Sequence, residues 1–130
     1  MVLLDAASAF FFESLTGAPN SPDTRSTPGA TRFVDAFADD AVAFTRAVTP
    51  APYTLPSVGS LMTGMLPDRH GVVLNASRDG RNLRLHDDVE TLAAVLKRAG
   101  YATFGVVTNP NAAALYGYGK GFDRYEELFS

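Results

Sequence analysis

Apolar residues recur along the chain at two spacings, one typical of strands and one typical of helices. Short apolar runs at residues 2–4, 42–45 and 101–107 predict strands, the first and last of them buried. Apolar positions three and four residues apart predict helices over residues 28–41 and 87–100. Strands that alternate with helices in this way favour an α/β fold with a mainly parallel sheet.

The two predicted helices carry start and stop signals. Thr27 followed by Pro28 is typical of an N-cap with proline at the first helical position. Asp87, with Glu90 three residues later, matches a capping box, and Gly100 supplies a left-handed stop. The expected core-facing side chains are Ala30, Phe33, Val34, Phe37, Ala38 and Ala41 in the first helix, and Leu92, Val95, Leu96 and Ala99 in the second.

Composition places the chain among ordinary globular proteins and narrows its partners. Of 130 residues, 46% are hydrophobic and 19% charged, which is enough apolar material for one core. The net charge of −3 leaves no basic excess for a phosphate backbone, so we expect no nucleic-acid binding. The absence of cysteine excludes thiolate metal sites and cysteine nucleophiles. Residues 1–5 lack a basic signal-peptide start and residues 10–12 are too short to span a bilayer, so we expect a cytoplasmic protein without membrane contact.

One segment, residues 54–64, has a pattern with chemical meaning. It places the Thr54 hydroxyl just before a short predicted helix, residues 57–63, which Gly64 and Pro67 end. The N–H groups and the positive dipole end at such a position favour an anion. Thr54 is therefore either an N-cap and nothing more, or a nucleophile toward phosphate or sulfate that a metal or a base must activate.

The same segment resembles the signature of the sulfatase family within the alkaline phosphatase superfamily. That signature reads Cys or Ser, any residue, Pro, Ser and Arg, then Leu-Thr-Gly, then Pro and His-Gly. The matching residues here are Thr54-Leu55-Pro56-Ser57, Ser60-Leu61-Met62-Thr63-Gly64, Pro67 and His70-Gly71. Three further segments look like the family: Asp5 after an apolar run, residues 91–103 and residues 121–126. Because they follow in the expected order along residues 1–130, the chain resembles the N-terminal part of a sulfatase-like catalytic domain.

The resemblance implies a fold, an activity and a set of site residues. The fold would be three-layer α/β and alkaline phosphatase-like, with helices on both faces of a mostly parallel sheet, and incomplete in this chain. The activity would be metal-dependent hydrolysis or transfer of small-molecule sulfate or phosphate esters. Asp5 would bind a divalent metal (Mn, Zn, Mg or Ca), and Thr54 would be both nucleophile and metal ligand. His70, which matches the family's His-Gly, would be a structural residue near the site. Asn109 is a candidate substrate-binding residue on its position alone, because it lies just past the carboxyl end of a predicted strand, where α/β proteins bind ligands.

The sequence also departs from the family. Threonine lacks the primary alcohol or thiol carbon that sulfatases convert to formylglycine, although related phosphodiesterases and phosphoglycerol transferases use threonine as nucleophile. Val58 replaces the signature arginine, and residues 106–110 replace the family's Gly-Lys-Trp-His. The family's remaining metal ligands, an Asp paired with Asn or His, come from the C-terminal half of a much longer domain. We therefore expect a truncated form that is inactive as an isolated chain.

Two other functions compete with this one. A non-catalytic remnant would fold around its sheet, bind no dication and expose an apolar sheet edge through which it could associate with a partner. A small flavodoxin-like binding domain would need a glycine loop after its first strand, but residues 6–13 contain no glycine.

Several polar residues have both a structural and a functional interpretation. Asn109 either reaches the site or only makes a turn with Pro110. His86 is either a metal ligand or a solvated cap of the following helix. The tyrosines that either cover a core edge or line a substrate cleft are Tyr116, Tyr118 and Tyr125.

Overall fold

A computed structural model describes residues 1–3, 5, 32–42, 44, 46–73 and 83–129. The chain divides into two compact units, Met1–Val48 and Thr49–Ser130. Several predicted features lie outside the described residues: the helix start at Thr27-Pro28, the stretch 6–13, and residues 4, 43 and 45 of the predicted strands.

The described part of the first unit contains a helix, α1, from Arg32 to Asp39. It ends within two residues of the predicted end, and its last turn has no basic side chain to complement the helix dipole. Two members of its expected core-facing set, Phe33 and Phe37, are each 75% exposed. For these two side chains, the predicted burial of the apolar face is wrong.

Neither strand predicted for the first unit forms in the described residues. Residues 1–3 belong to no regular element, Asp5 lies in a turn, and Val42 and Phe44 belong to no strand and are exposed. A strand requires a neighbour that shares its backbone hydrogen bonds, and no such pairing is present among the described residues of this unit. An apolar run shows that a segment favours burial but does not provide its partner.

The second unit opens with two helices, α2 from Thr54 to Thr63 and α3 from Pro67 to His70. The predicted stops are confirmed: Gly64 ends α2 at φ +69° with its N–H bonded to Ser60 O at 2.8 Å, and Pro67 opens the next helix. The predicted start at residue 57 is wrong by three residues. Pro56 lies within the first turn of α2, where its missing N–H costs no helical hydrogen bond.

Helix α4 runs from Leu92 to Arg98, so its predicted capping box at Asp87 is wrong. Thr91 is the cap instead, because its Oγ1 accepts the N–H of Ala94 at 3.2 Å. The predicted stop is confirmed: Gly100 has φ +90° and donates to Lys97 O at 2.9 Å. Tyr101 donates to Leu96 O at 3.1 Å, which completes a Schellman motif.

A parallel pair of strands follows, β1 from Phe104 to Val107 and β2 from Arg124 to Glu127, with Phe104 opposite Arg124. The crossover between them includes two 3₁₀ helices, Pro110–Ala112 and Ala114–Tyr116. Parallel pairing agrees with the α/β prediction. However, β1 begins three residues later than predicted, and its Phe104 and Val106 side chains are exposed rather than buried.

The core of the second unit lies where α2 meets the crossover. It consists of Leu55, Val58, Met62, Val72, Leu85, Ala112 and Tyr118. The side of α4 that was expected to face the core is exposed, and the helix instead buries Thr91 and Ala93 at its start. Among the described residues, no helix is long and apolar enough to cross a bilayer.

Candidate functional site

Thr54 is the first residue of α2, one position later than an N-cap. The cap is Tyr53, whose dihedral angles (φ −133°, ψ 147°) are extended and whose side chain makes no capping bond. The N-cap interpretation of Thr54 is therefore wrong by one residue. The first main-chain bond into the helix runs from Ser57 N to Tyr53 O at 3.3 Å. The amides of Thr54 and Leu55 precede that bond, at the positive end of the helix dipole.

The signature serine, Ser57, ties the proline-containing loop before α2 to the helix. Its Oγ donates to Ala51 O at 2.8 Å and lies 3.0 Å from the Oγ1 of Thr49. Thr49 also donates to Ala51 O, at 2.9 Å. The loop that leads into Thr54 is thus fixed by side-chain bonds, a role for Ser57 that sequence reasoning missed.

Two tyrosine hydroxyls from the C-terminal part of the chain donate hydrogen bonds to backbone carbonyls of the core. Tyr118 is completely buried and donates to the carbonyl of Leu55, the residue after Thr54. Tyr125 donates to Ala112 O at 2.6 Å. Burial raises the pKa of Tyr118 well above its usual value; burial, with the charge of Glu127, raises the pKa of Tyr125 to about 12. For both residues the core interpretation is confirmed, and Tyr116 packs partly buried beside them, its ring 6.2 Å from that of Tyr118.

His70 links α3 to α2 and is completely buried. Its Nδ1 accepts the N–H of Val72 at 3.2 Å, so the ring hydrogen is assigned to Nε2, which donates to Ser60 Oγ at 3.0 Å. A Cβ on Gly59 would lie 2.7 Å from the His70 ring. The close approach of the ring to α2 therefore requires glycine at this position. Burial lowers the pKa of His70, with a contribution from His86, while the Pro56 backbone and Asp68 oppose the shift.

These bonds are those expected of a structural residue, whereas the nearness of His70 to a site stays a prediction. In this tautomer Nε2 cannot act as a base toward Ser60, so the pair is not a nucleophile–base dyad.

His86 does not cap α4, because the helix begins six residues later. Its N–H donates to His70 O at 3.0 Å, and its ring covers Gly71, where a Cβ would lie 2.3 Å from the ring. Within the described ranges, no group of three or more His, Asp or Glu side chains is arranged to hold a metal ion.

Asn109 lies near the start of the crossover, two residues beyond the carboxyl end of β1. Its Oδ1 accepts the N–H of Asn111 at 2.9 Å, which caps the first 3₁₀ helix. The turn-forming interpretation with Pro110 is therefore confirmed. Contact between Asn109 and a substrate stays a prediction.

Asp5 lies in a turn of the first unit and is exposed, whereas Thr54 lies in the second unit. Their joint role in binding a metal stays a prediction. A carboxylate and a hydroxyl are donors of the kind that hard dications take, so they fit by type. Such ions take about six oxygen ligands, so two donors need others beside them.

Asp123 connects two parts of the second unit through hydrogen bonds and an ion pair that sequence reasoning missed. Its Oδ2 accepts the N–H and the Oγ1 of Thr103 at 2.9 and 3.0 Å, and its Oδ1 lies 2.8 Å from Lys97 Nζ. The Lys97 ammonium, helped by Thr103, lowers the pKa of Asp123 to about 2. The Lys97–Asp123 pair therefore connects the last turn of α4 to the start of β2. The signal in the sequence is only that residues 121–126 resemble a segment of the sulfatase family.

Comparison with known proteins agrees with the signature. The Sulfatase family model matches residues 2–128, so the chain belongs to the sulfatase family. It is 35% identical over 99 residues to an endo-4-O-sulfatase of Bacteroides thetaiotaomicron, covering 75% of this chain and 20% of that protein. It is also 35% identical over 75 residues to a Δ4,5-hexuronate-2-O-sulfatase of the same organism, covering 58% of this chain and 15% of that protein. The matched region thus spans a fifth or less of these relatives, and no solved structure matches significantly.

Proposed function

We propose that this chain supplies the nucleophile-bearing part of a metal-dependent, sulfatase-like enzyme that hydrolyses or transfers small-molecule sulfate or phosphate esters. The observation that carries the proposal is the Thr54 hydroxyl at the first turn of α2, whose start is fixed by Ser57 on one side and Tyr118 on the other. Family membership supports the class of reaction. The complete enzyme would have the three-layer, mostly parallel fold of the alkaline phosphatase type.

The chemistry asked of this chain is nucleophilic attack at sulfur or phosphorus. The Oγ1 of Thr54 would form the new bond while the ester oxygen leaves, and amides at the start of α2 would stabilise charge on the non-bridging oxygens. Asp5 and Thr54 would hold a divalent metal together with ligands from outside this chain. Such a metal lowers the pKa of a bound hydroxyl and neutralises charge that develops on the ester.

Two observations point to different esters. The relatives are named for removal of 4-O- and 2-O-sulfate groups, which favours a sulfate ester, including one on a sugar. Thr54 cannot become formylglycine by the route open to Cys or Ser, which favours a phosphate ester. An aryl sulfate and an aryl phosphate diester must therefore be assayed side by side.

The test measures turnover of both esters with Mn²⁺ or Zn²⁺ by an extended enzyme, in which this chain is joined to the part that supplies the remaining metal ligands, and compares the wild type with Thr54→Ala. Thr54→Ala should reduce turnover about a thousandfold or more, because the attacking group is lost. Thr63→Ala is a matched control, since it removes a hydroxyl bonded to Gly59 O at the far end of α2 and should leave turnover within a few-fold. Retained turnover in Thr54→Ala would overturn the assignment.

A non-catalytic partial domain is the second candidate, and the exposed apolar side chains of α4 and β1 favour it. Titration of the same extended enzyme with Mn²⁺ separates the two. Tight, stoichiometric binding that Asp5→Asn weakens supports the enzyme, whereas no binding together with no turnover supports the partial domain.

A further inference from the structure

Tyr118 contacts the first turn of α2 although 63 positions separate it from Leu55 in sequence. Its buried hydroxyl donates to the Leu55 carbonyl, and the Gly59 N–H is close enough to the phenol oxygen to oppose the rise in its pKa. Leu55 and Gly59 are i and i+4 partners in a helix. The phenol therefore lies beside the bond that closes the turn immediately after Thr54.

The crossover that carries Tyr118 is itself fixed in place. Gly117 has φ +90°, and a Cβ there would lie 3.1 Å from Leu85 Cβ. Leu85 donates its N–H to Tyr116 O at 2.9 Å. Because the crossover follows β1 directly, the Tyr118 bond connects the segment after β1 to the start of α2.

The geometry points to Tyr118 as a positioning residue for Thr54, an inference that rests on the proposed function. A helical carbonyl is already satisfied by the amide four residues later, so the main consequence of a second buried donor is to fix the turn against the crossover. Tyr125 makes the corresponding bond to the carbonyl of Ala112 in the crossover rather than to a carbonyl of α2, and so provides a comparison inside the same core.

The experiment compares Tyr118→Phe with the matched control Tyr125→Phe in the full chain. Each variant removes one hydroxyl and keeps its ring. Amide hydrogen exchange at Val58 and Gly59, corrected for global stability, should rise about tenfold in Tyr118→Phe and stay within twofold in Tyr125→Phe. Titration with inorganic sulfate, followed by NMR at the Thr54 and Leu55 amides, should show about tenfold weaker binding in Tyr118→Phe only.

Equal changes in the two variants, or no change in Tyr118→Phe, would overturn the inference, because the effect would then follow general loss of stability or be absent. If sulfate leaves the Thr54 amide of the wild type unchanged, the proposed anion site fails. The exchange comparison then still decides whether Tyr118 sets the first turn of α2.

Discussion

Helices α2 and α4 lie in the same unit, and both have apolar residues three and four positions apart, yet they bury those residues to different extents. In α2, Leu55, Val58 and Met62 are all at least 93% buried. In α4, Leu92, Val95 and Leu96 are 45%, 40% and 37% exposed. Amphipathic spacing therefore shows which face of a helix needs to be covered, but the cover has to come from another element.

The two helices also attach to the unit by different means. Large side chains of α2 pack against the crossover, which brings Ala112 and Tyr118 to the core. Helix α4 is held at its start by Thr91, whose Oγ1 donates to Lys120 O at 2.6 Å, and near its end by the Lys97–Asp123 ion pair. Polar contacts and the small buried Ala93 thus hold α4 in place, and its larger apolar side chains contribute less to its attachment.

The largest effect is expected where α4 meets the chain before β2. A Cβ at Gly121, which has φ +87°, would lie 2.2 Å from the backbone nitrogen of Ala94. Gly121→Ala should lower the free energy of unfolding by about 3–5 kcal/mol, the sum of a left-handed backbone and a clash that cannot relax. Gly100→Ala is the control, because its φ is +90° and no atom lies within 4 Å; it should cost about 1–2 kcal/mol. Urea unfolding measures both, and equal losses would show that the approach to Ala94 is not tight.

The next effect compares one leucine from each helix. Leu55→Ala should lower the free energy of unfolding by about 3 kcal/mol, because it leaves a cavity in the core around α2. Leu92→Ala should cost less than about 1 kcal/mol, because the side chain is already half in water. Thermal and urea unfolding of both variants provide the measurement. A large loss in Leu92→Ala would mean that α4 is stabilised by its apolar side after all.

The smallest effect concerns pH and the His70 contact between α2 and α3. Burial lowers the pKa of His70 in the folded protein below the value of about 6.5 for an exposed imidazole. At a pH above about 6.5 the ring is neutral in both the folded and the unfolded state, and His70 causes no loss of stability. As the pH decreases below about 6.5, the unfolded state takes up a proton before the folded state does. The free energy of unfolding therefore decreases until the pH reaches the pKa of His70 in the folded protein.

Urea unfolding between pH 8 and pH 5 tests this, with His70→Gln as the control. The substitution keeps one donor and one acceptor but cannot titrate. The wild type should therefore lose more stability than the variant on acidification. Parallel pH curves would show that His70 makes no contribution to the dependence.

In the second unit, the sequence predicted where helices end better than it predicted which side chains are buried. The stops at Gly64, Pro67 and Gly100 are correct because a glycine or proline imposes its backbone preference wherever it stands. The cap of α4 was misplaced because Asp87 and Thr91 both satisfy the local rule. The bond from Thr91 to Lys120, 29 residues away, is a long-range contact that no local pattern contains.

For the candidate site, the signature located α2 and its neighbourhood but not the groups that hold it. The roles of Ser57 and Tyr118 depend on contacts with Ala51 and Leu55, which only the folded chain brings together. The turn at Asn109 was predictable because an Asn-Pro pair acts locally. The metal and substrate roles of Asp5, Thr54 and Asn109 remain predictions.

The sequence contains only two lysines, Lys97 and Lys120, and the fold engages both. Lys97 is paired with Asp123, while the Lys120 ammonium donates to the backbone carbonyls of Asp87 and Val89. Acylation of Lys120 requires a neutral, uncommitted amine, and these bonds must first open to release one. The rate of acylation at Lys120, followed by mass spectrometry, thus reports how often the loop before α4 detaches.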